Sequence, residues 1–358
     1  MEARVTTLEL FFDLVFVFTI TQLTTVLAES ATWRQVVQVV LMLGVIWWMY
    51  GGYAWMTNAV SAHTTNRRLL LLGGMAGYFV LALSVPHAFR STGLAFGLAY
   101  LLIVVVHTAL FTRATSASAA RAIFTLAPFN LASALMLVIG GALGGSAQYI
   151  LWAAAFAFEW LTPIIRGIAG FGVTPAHFVE RHGLVVLIAI GESVIAVGIG
   201  ASHLPVDHGL VIAATLGLAL SAALWWLYFG GTEAVAERAR QGMVTTRRAH
   251  AALFGYGYWH LPLLLGIVAA AAAERHAFAH PFSALSWSRG AILAGGVSLF
   301  LVGEVLFRRE LGIGRPVARA AAAAAALLTI PLGAGISPVV QIAALVALLG
   351  ATVVLESR

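Results

Sequence analysis

The chain has 358 residues, 61% hydrophobic and only 9% charged, which is too little polar surface to cover a water-soluble globule, so lipid must serve as its solvent. All 20 basic residues are arginine and the formal net charge is +6, but the arginines cluster at the ends of apolar stretches, a distribution that argues against a nucleic-acid surface. With no cysteine, disulfides, thiol catalysis, Cys-ligated zinc and iron–sulfur clusters are excluded.

A spanning helix needs roughly 20 mostly apolar residues. Twelve stretches qualify, near 6–28, 35–57, 69–87, 92–112, 122–144, 147–165, 179–201, 209–230, 250–272, 290–307, 318–335 and 338–355. The expected fold is an all-α integral membrane protein of about twelve transmembrane helices, with connections too short for a soluble domain. If the helices alternate direction, sixteen arginines share one side and only Arg34, Arg90, Arg275 and Arg289 face the other. By the positive-inside rule both termini of this multi-pass chain are then cytoplasmic.

The first stretch begins close to Met1 and carries Glu9 and Asp13, unlike the acid-free core of a cleaved signal peptide, so it is expected to remain as the first helix. An ionisable side chain deep in a bilayer costs roughly 2.5–3.5 kcal/mol even on the lenient insertion scale, which makes such residues the first candidates for function. Glu9 and Asp13 are four apart and share a helical face, where each raises the other's proton affinity unless an arginine intervenes. Farther along the same stretch lies Gln22. In the second stretch Trp47 and Trp48 sit too deep for an interfacial aromatic belt and are expected to fill the bundle interior. His107 in the fourth stretch and Glu159 in the sixth are secondary candidates, each open to a packing reading as well as to a proton-relay one.

The seventh stretch opens with His177-Phe178-Val179-Glu180-Arg181-His182-Gly183 and continues to Gly191-Glu192-Ser193. Two titratable clusters thus lie about three turns, or roughly 18 Å, apart on one helix. Arg181 and Glu192 fall on nearly the same face, so a polar stripe can run inward from the cytoplasmic mouth. His177 and Glu180 have the spacing of half a metal motif, but no second copy follows and no metal or cofactor is expected. Trp225 and Trp226 in the eighth stretch are read as Trp47 and Trp48 are, and His260 in the ninth as His107 is. In the tenth, Glu304 reaches Arg308 at i+4 and reads as structural. The alanine run Ala320–Ala326 reads as a helix packing closely against its neighbours.

The chain also repeats itself. Leu14 to Gln22 is echoed by Leu184 to Glu192, Trp47-Trp48-Met49-Tyr50-Gly51-Gly52 by Trp225-Trp226-Leu227-Tyr228-Phe229-Gly230-Gly231, and Arg67-Arg68 before Gly77-Tyr78 by Arg247-Arg248 before Gly257-Tyr258. Three matches in the same order imply a duplication, with repeats at 1–170 and 171–358. Six helices per repeat, an even number, make the two repeats parallel rather than inverted. Glu192 occupies the place of Gln22, setting a carboxyl opposite an amide in the duplicated plan.

Glu9-Leu10-Phe11-Phe12-Asp13-Leu14-Val15-Phe16-Val17, with the His177–Gly183 segment, Ile190-Gly191-Glu192-Ser193, Trp225-Trp226-Leu227-Tyr228-Phe229 and Tyr258-Trp259-His260-Leu261, resembles the bacterial low temperature requirement A family over nearly the whole chain. That resemblance implies a polytopic inner-membrane protein linked by name to growth in the cold; it does not supply a substrate. A fainter similarity, in Phe12-Asp13 and the six-plus-six layout, is to lysosomal potassium and proton channels of the transmembrane protein 175 type. Those channels carry an arginine followed by Phe-Ser-Asp on the first helix. Here no serine separates Phe12 from Asp13, Thr7 stands where the arginine belongs, and Gly183 replaces the aspartate of helix 7.

The expected function is a transporter or channel for an ion or small solute. Glu9, Asp13, Gln22, Glu180, Arg181, His182, Glu192 and Ser193 are its site candidates, and Glu159, His107, His260, Trp48 and Trp226 are secondary ones. The alternative is a membrane enzyme acting on a lipid or isoprenoid, with the histidines near 177–182 as acid–base groups. Expected partners are membrane lipids, the ion or solute, and a second copy of the chain through small-residue helix faces.

Overall fold

The computed structural model describes residues 5–59, 64–113, 117–167, 175–230, 249–314 and 316–357, except for the side chains of 117–120 and 175–176. Arg4, Arg315, Arg358 and the polar run from Gly231 to Arg248, with Arg238, Arg240, Arg247 and Arg248, lie outside the described residues.

Among the described residues all regular structure is helical, in twelve helices. They are α1 (Thr7–Glu29), α2 (Trp33–Ala59), α3 (Thr65–Ser84), α4 (Gly93–Phe111), α5 (Ala117–Leu143), α6 (Gly145–Arg166), α7 (Pro175–Ala201), α8 (His208–Phe229), α9 (Ala249–Ala279), α10 (Trp287–Leu311), α11 (Val317–Gly335) and α12 (Pro338–Glu356). Helices are required here because lipid offers no partner to a free backbone amide.

Eleven of the twelve are long and apolar enough to cross a membrane. The sixth expected stretch is the exception, and the expectation of twelve is corrected to that extent. Its helix, α6, has 22 residues, but Gln148, Glu159, Thr162 and Pro163 dilute the apolar run. The ninth stretch is longer than expected, running to Ala279 rather than 272, and it contains a π-helical turn at Ala252–Tyr258. α11 is broken between Leu327 and Ile330, where Pro331 removes a backbone donor. Asp207 caps α8, its carboxylate accepting from the Leu210 amide at 2.8 Å.

The helices group into two compact units. The first holds α1 as far as Leu23, α2 from Val37, α3 to α6, α7 as far as His182, and α9 as far as Leu253. Its core is aromatic: Phe12 stacks on Tyr53 at 4.9 Å and meets the edge of Tyr78 at 5.1 Å, and Phe16 lies 4.3 Å from Tyr50. α3, α4, α5 and α6 pack in sequence order. α4 and α5 touch backbone to backbone, for a Cβ added to Gly141 would lie 2.1 Å from the Gly93 carbonyl oxygen. Such contact between small residues is how helices associate where lipid cancels the hydrophobic incentive.

The second unit holds α1 from Thr24, α2 as far as Val36, α7 from Gly183, α8, α9 from Phe254, and α10 to α12. α9 and α10 meet along Gly266, Gly296 and Gly303. α10, α11 and α12 are joined by Arg319. Its guanidinium bonds to Glu304, to Glu356 (Nη2 to Oε2, 2.8 Å) and to the Leu227 carbonyl (2.9 Å). The expected Glu304–Arg308 pair is present at 3.6 Å, but Arg319 is the closer partner, so this acid belongs to an ion network that ties three helices together.

Candidate functional site

α1 begins with a capping box. The Thr6 amide and hydroxyl both donate to Glu9 Oε2 at 2.8 Å, and the Glu9 amide returns a bond to the Thr6 hydroxyl at 3.3 Å. This holds Glu9 in place and leaves Oε1 to point elsewhere. Asp13 lies one turn on, and the same four-residue spacing recurs on α7 in His177 and Arg181, so each helix presents an i,i+4 pair.

The two pairs meet in register. His177 Nε2 is 3.1 Å from Glu9 Oε1, and Arg181 Nη2 is 3.2 Å from Asp13 Oδ1. Arg181 Nε also donates to Asp13 Oδ1 at 3.4 Å, while Nη1 lies 3.7 Å from Glu9 Oε1 and bonds to the Thr57 hydroxyl. Tyr50 donates its hydroxyl to Asp13 at 2.9 Å. The guanidinium lies 5.2 Å from the centre of the Phe12 ring and 5.5 Å from that of Tyr50, a cation–π setting that suits a charge removed from water. Asn58 Nδ2 is 3.3 Å from His177 Nδ1.

Asp13 and Arg181 are wholly inaccessible to solvent. Taking an ion out of water costs several kcal/mol, repaid only by close opposite charge and saturated hydrogen bonds. The cluster supplies the opposite charge through Arg181 and crowds its hydrogen bonds onto Asp13 Oδ1, leaving Oδ2 without one. Two carboxylates and one guanidinium leave one negative charge, and a proton on His177 cancels it. The same proton placed on Glu9 also leaves the group neutral, with His177 uncharged, and only 3.1 Å separates the two seats. The arrangement can therefore hold one proton and exchange it between two sites.

The remaining candidates fall in several places. His182 is buried beside the cluster, its Nδ1 donating to the Phe178 carbonyl at 2.8 Å and its ring edge-on to Trp47 at 5.8 Å. Glu180 is exposed and accepts from the Val5 amide at 3.4 Å; it sits about 100° around the helix from Arg181 and so misses the buried face. Gln22 is half-buried, and Glu192 and Ser193 are buried in the second unit. His107 Nε2 donates to the Gly52 carbonyl at 3.0 Å. His260 Nδ1 donates to the Gly255 carbonyl at 2.9 Å within the π-helical turn, and Nε2 is 2.9 Å from the Tyr228 hydroxyl.

Glu159 lies 2.6 Å from the Tyr100 hydroxyl, which is also 3.0 Å from the Val45 carbonyl. One hydroxyl hydrogen cannot serve two acceptors, so a protonated Glu159 that donates to Tyr100 satisfies both contacts. Glu159→Gln, which keeps a donor, is expected to fold and melt close to wild type. Glu159→Leu should lower the melting temperature in detergent, and equal melting of the two variants would refute this reading.

The tryptophan expectation is corrected in part. Trp47 is fully buried, and Trp48 is half-buried with its Nε1 donating to Asn130 at 3.2 Å. Trp225 and Trp226 instead are exposed, at 39% and 56%. α8 buries Gly217, Leu220, Leu224, Leu227 and Tyr228, a stripe of helical period, and the two indoles lie off it, with Trp225 stacked on Phe229 at 5.7 Å.

A family model described as bacterial low temperature requirement A protein (LtrA) matches residues 4–354. The chain belongs to the LtrA family. It is also similar to an uncharacterized protein of Rhizobium meliloti (strain 1021), 28% identical over 315 residues that cover 84% of this chain and 76% of that one. With its many apolar helices, this LtrA-family chain is a multi-pass membrane protein. The whole cluster from Thr6 to His182 lies within the LtrA match.

Three residues of consequence escape the sequence reading. Thr57 and Asn58 close an apolar helix, where polar residues ordinarily mark the membrane edge, so nothing local sets them apart. Glu274 lies just past the expected end of the ninth stretch at 272, yet α9 continues and buries it completely.

Proposed function

We propose that this chain is a transporter or channel for an ion or small solute, working in the bacterial inner membrane with both termini in the cytoplasm and built from two parallel six-helix repeats. The observation that carries the proposal is the register of Glu9 with His177 and of Asp13 with Arg181. A structural ion pair needs one acid and one base. Here a second acid and a histidine are added, and together they hold an exchangeable proton among apolar helices, the chemistry by which a proton can be coupled to the passage of a solute or the opening of a pore. The guanidinium is already engaged by two carboxylates and a hydroxyl, so it serves the cluster and is not left over to bind a phosphorylated lipid.

Purified protein in liposomes, with potassium, sodium and proton gradients imposed separately, tests the proposal. Flux is expected in the wild type and largely lost in Asp13→Asn, which keeps the size of the side chain and removes its charge. Flux that is unchanged in both Asp13→Asn and Glu192→Gln would refute the assignment, and so would absence of flux under every gradient.

A further inference from the structure

Glu274 on α9 has no exposed surface, and no charged group or backbone amide bonds to either of its carboxyl oxygens. The hydroxyl beside it is that of Ser193 on α7, itself buried. Both residues belong to the second unit. The neighbouring charge is turned away: Arg275, next in the chain, donates to the Thr25 hydroxyl at 3.0 Å.

The surroundings are tightly built. A Cβ on Gly200 of α7 would fall 2.5 Å from the Arg275 carbonyl oxygen, and one on Gly217 of α8 would fall 2.6 Å from the Phe278 ring. Two helices, α7 and α8, thus close on α9 around Arg275 and Phe278. Side chains tilt toward the start of their own helix, so Glu274 carries its carboxyl back from this seam toward Ser193, seven residues before Gly200.

A buried carboxyl with no counter-charge is held as the neutral acid, since an isolated carboxylate there would cost many kcal/mol. The same three oxygens, two from Glu274 and one from Ser193, are hard donors of the kind that bind alkali cations. A single carboxylate cancels one positive charge; a divalent ion would leave a buried excess.

We propose that Glu274 and Ser193 form a monovalent-cation site in which the cation displaces the carboxyl proton. The exchange balances: the neutral acid and one cation give the carboxylate–cation pair and one released proton. The site is separate from the Glu9–Arg181 cluster and extends the transport proposal by naming the class of ion that a second site takes.

The test is proton release from purified full-length protein in weakly buffered detergent solution, read with a pH indicator as sodium chloride or potassium chloride is added, with choline chloride as the ionic-strength control. Wild type is expected to release about one proton per chain with sodium or potassium and none with choline. Glu274→Gln should abolish the release, and Ser193→Ala should shift it to higher salt while leaving its extent intact. Release that persists unchanged in Glu274→Gln, or no release with either cation, overturns the proposal. Because the measurement needs no flux, its result stands apart from the liposome test: binding without flux would refute transport alone, and flux without binding would refute this site alone. A Glu274→Asp variant guards against misfolding of the glutamine variant, since it restores the acid and is expected to recover cation-linked release at a shifted concentration.

Discussion

Replacing Arg181 with methionine is expected to destabilise the protein by about 3–5 kcal/mol, the usual result of removing one partner from a buried ion pair. The guanidinium bonds to Asp13, lies 3.7 Å from Glu9 and reaches Thr57, so its loss leaves two carboxylates one turn apart among apolar helices. The effect should be strongly non-additive. Arg181→Met combined with Asp13→Asn removes the orphaned charge along with its partner and is expected to recover more than half of the lost stability, because coupled residues fail to add by up to a few kcal/mol. Thermal melting of the four proteins of this cycle in one detergent measures the coupling. If the double variant melts as low as the sum of the single variants, the pair is not the electrostatic unit described above.

The second large effect concerns two neighbouring glycines on α10 that differ only in what faces them. A Cβ on Gly296 would lie 2.7 Å from the Ala270 amide nitrogen and 2.8 Å from the Gly266 carbonyl oxygen, whereas one on Gly295 would have nothing within 4 Å. Backbone atoms cannot rotate aside, so Gly296→Ala must push α9 and α10 apart, at about 1–3 kcal/mol or more for overpacking of this kind. Gly295→Ala meets no obstacle and should be neutral or stabilising by up to about 1 kcal/mol, because alanine loses less backbone freedom than glycine in a helix. Melting curves should place Gly296→Ala below wild type and Gly295→Ala at or above it. A Gly296→Ala protein as stable as Gly295→Ala would refute close backbone contact between α9 and α10.

Composition and apolar run length are enough to establish that this is a helical membrane protein, since lipid permits few other backbones and the requirement of about 20 apolar residues per crossing can be counted along a chain. Candidate residues can be named from the sequence as well: Glu9, Asp13, Arg181 and His182 are singled out because charge is costly at such positions. Helix ends are less legible, and Glu274 is hidden for that reason, because an acid after an alanine run looks the same whether the helix stops before it or carries it inside. The outward placement of Trp225 and Trp226 was likewise hidden, because an indole is apolar enough for lipid and for a core alike, and only the buried stripe of α8 decides which it meets.

The pairing of Asp13 with Arg181, 168 residues apart, is a matter of tertiary structure alone. Sequence determines which residues cannot face lipid unaccompanied, because that cost belongs to each side chain by itself. Which partner relieves it depends on the register in which helices pack, and register follows from close fits such as Gly141 against Gly93 and Gly296 against Ala270, contacts between distant segments that no local pattern encodes.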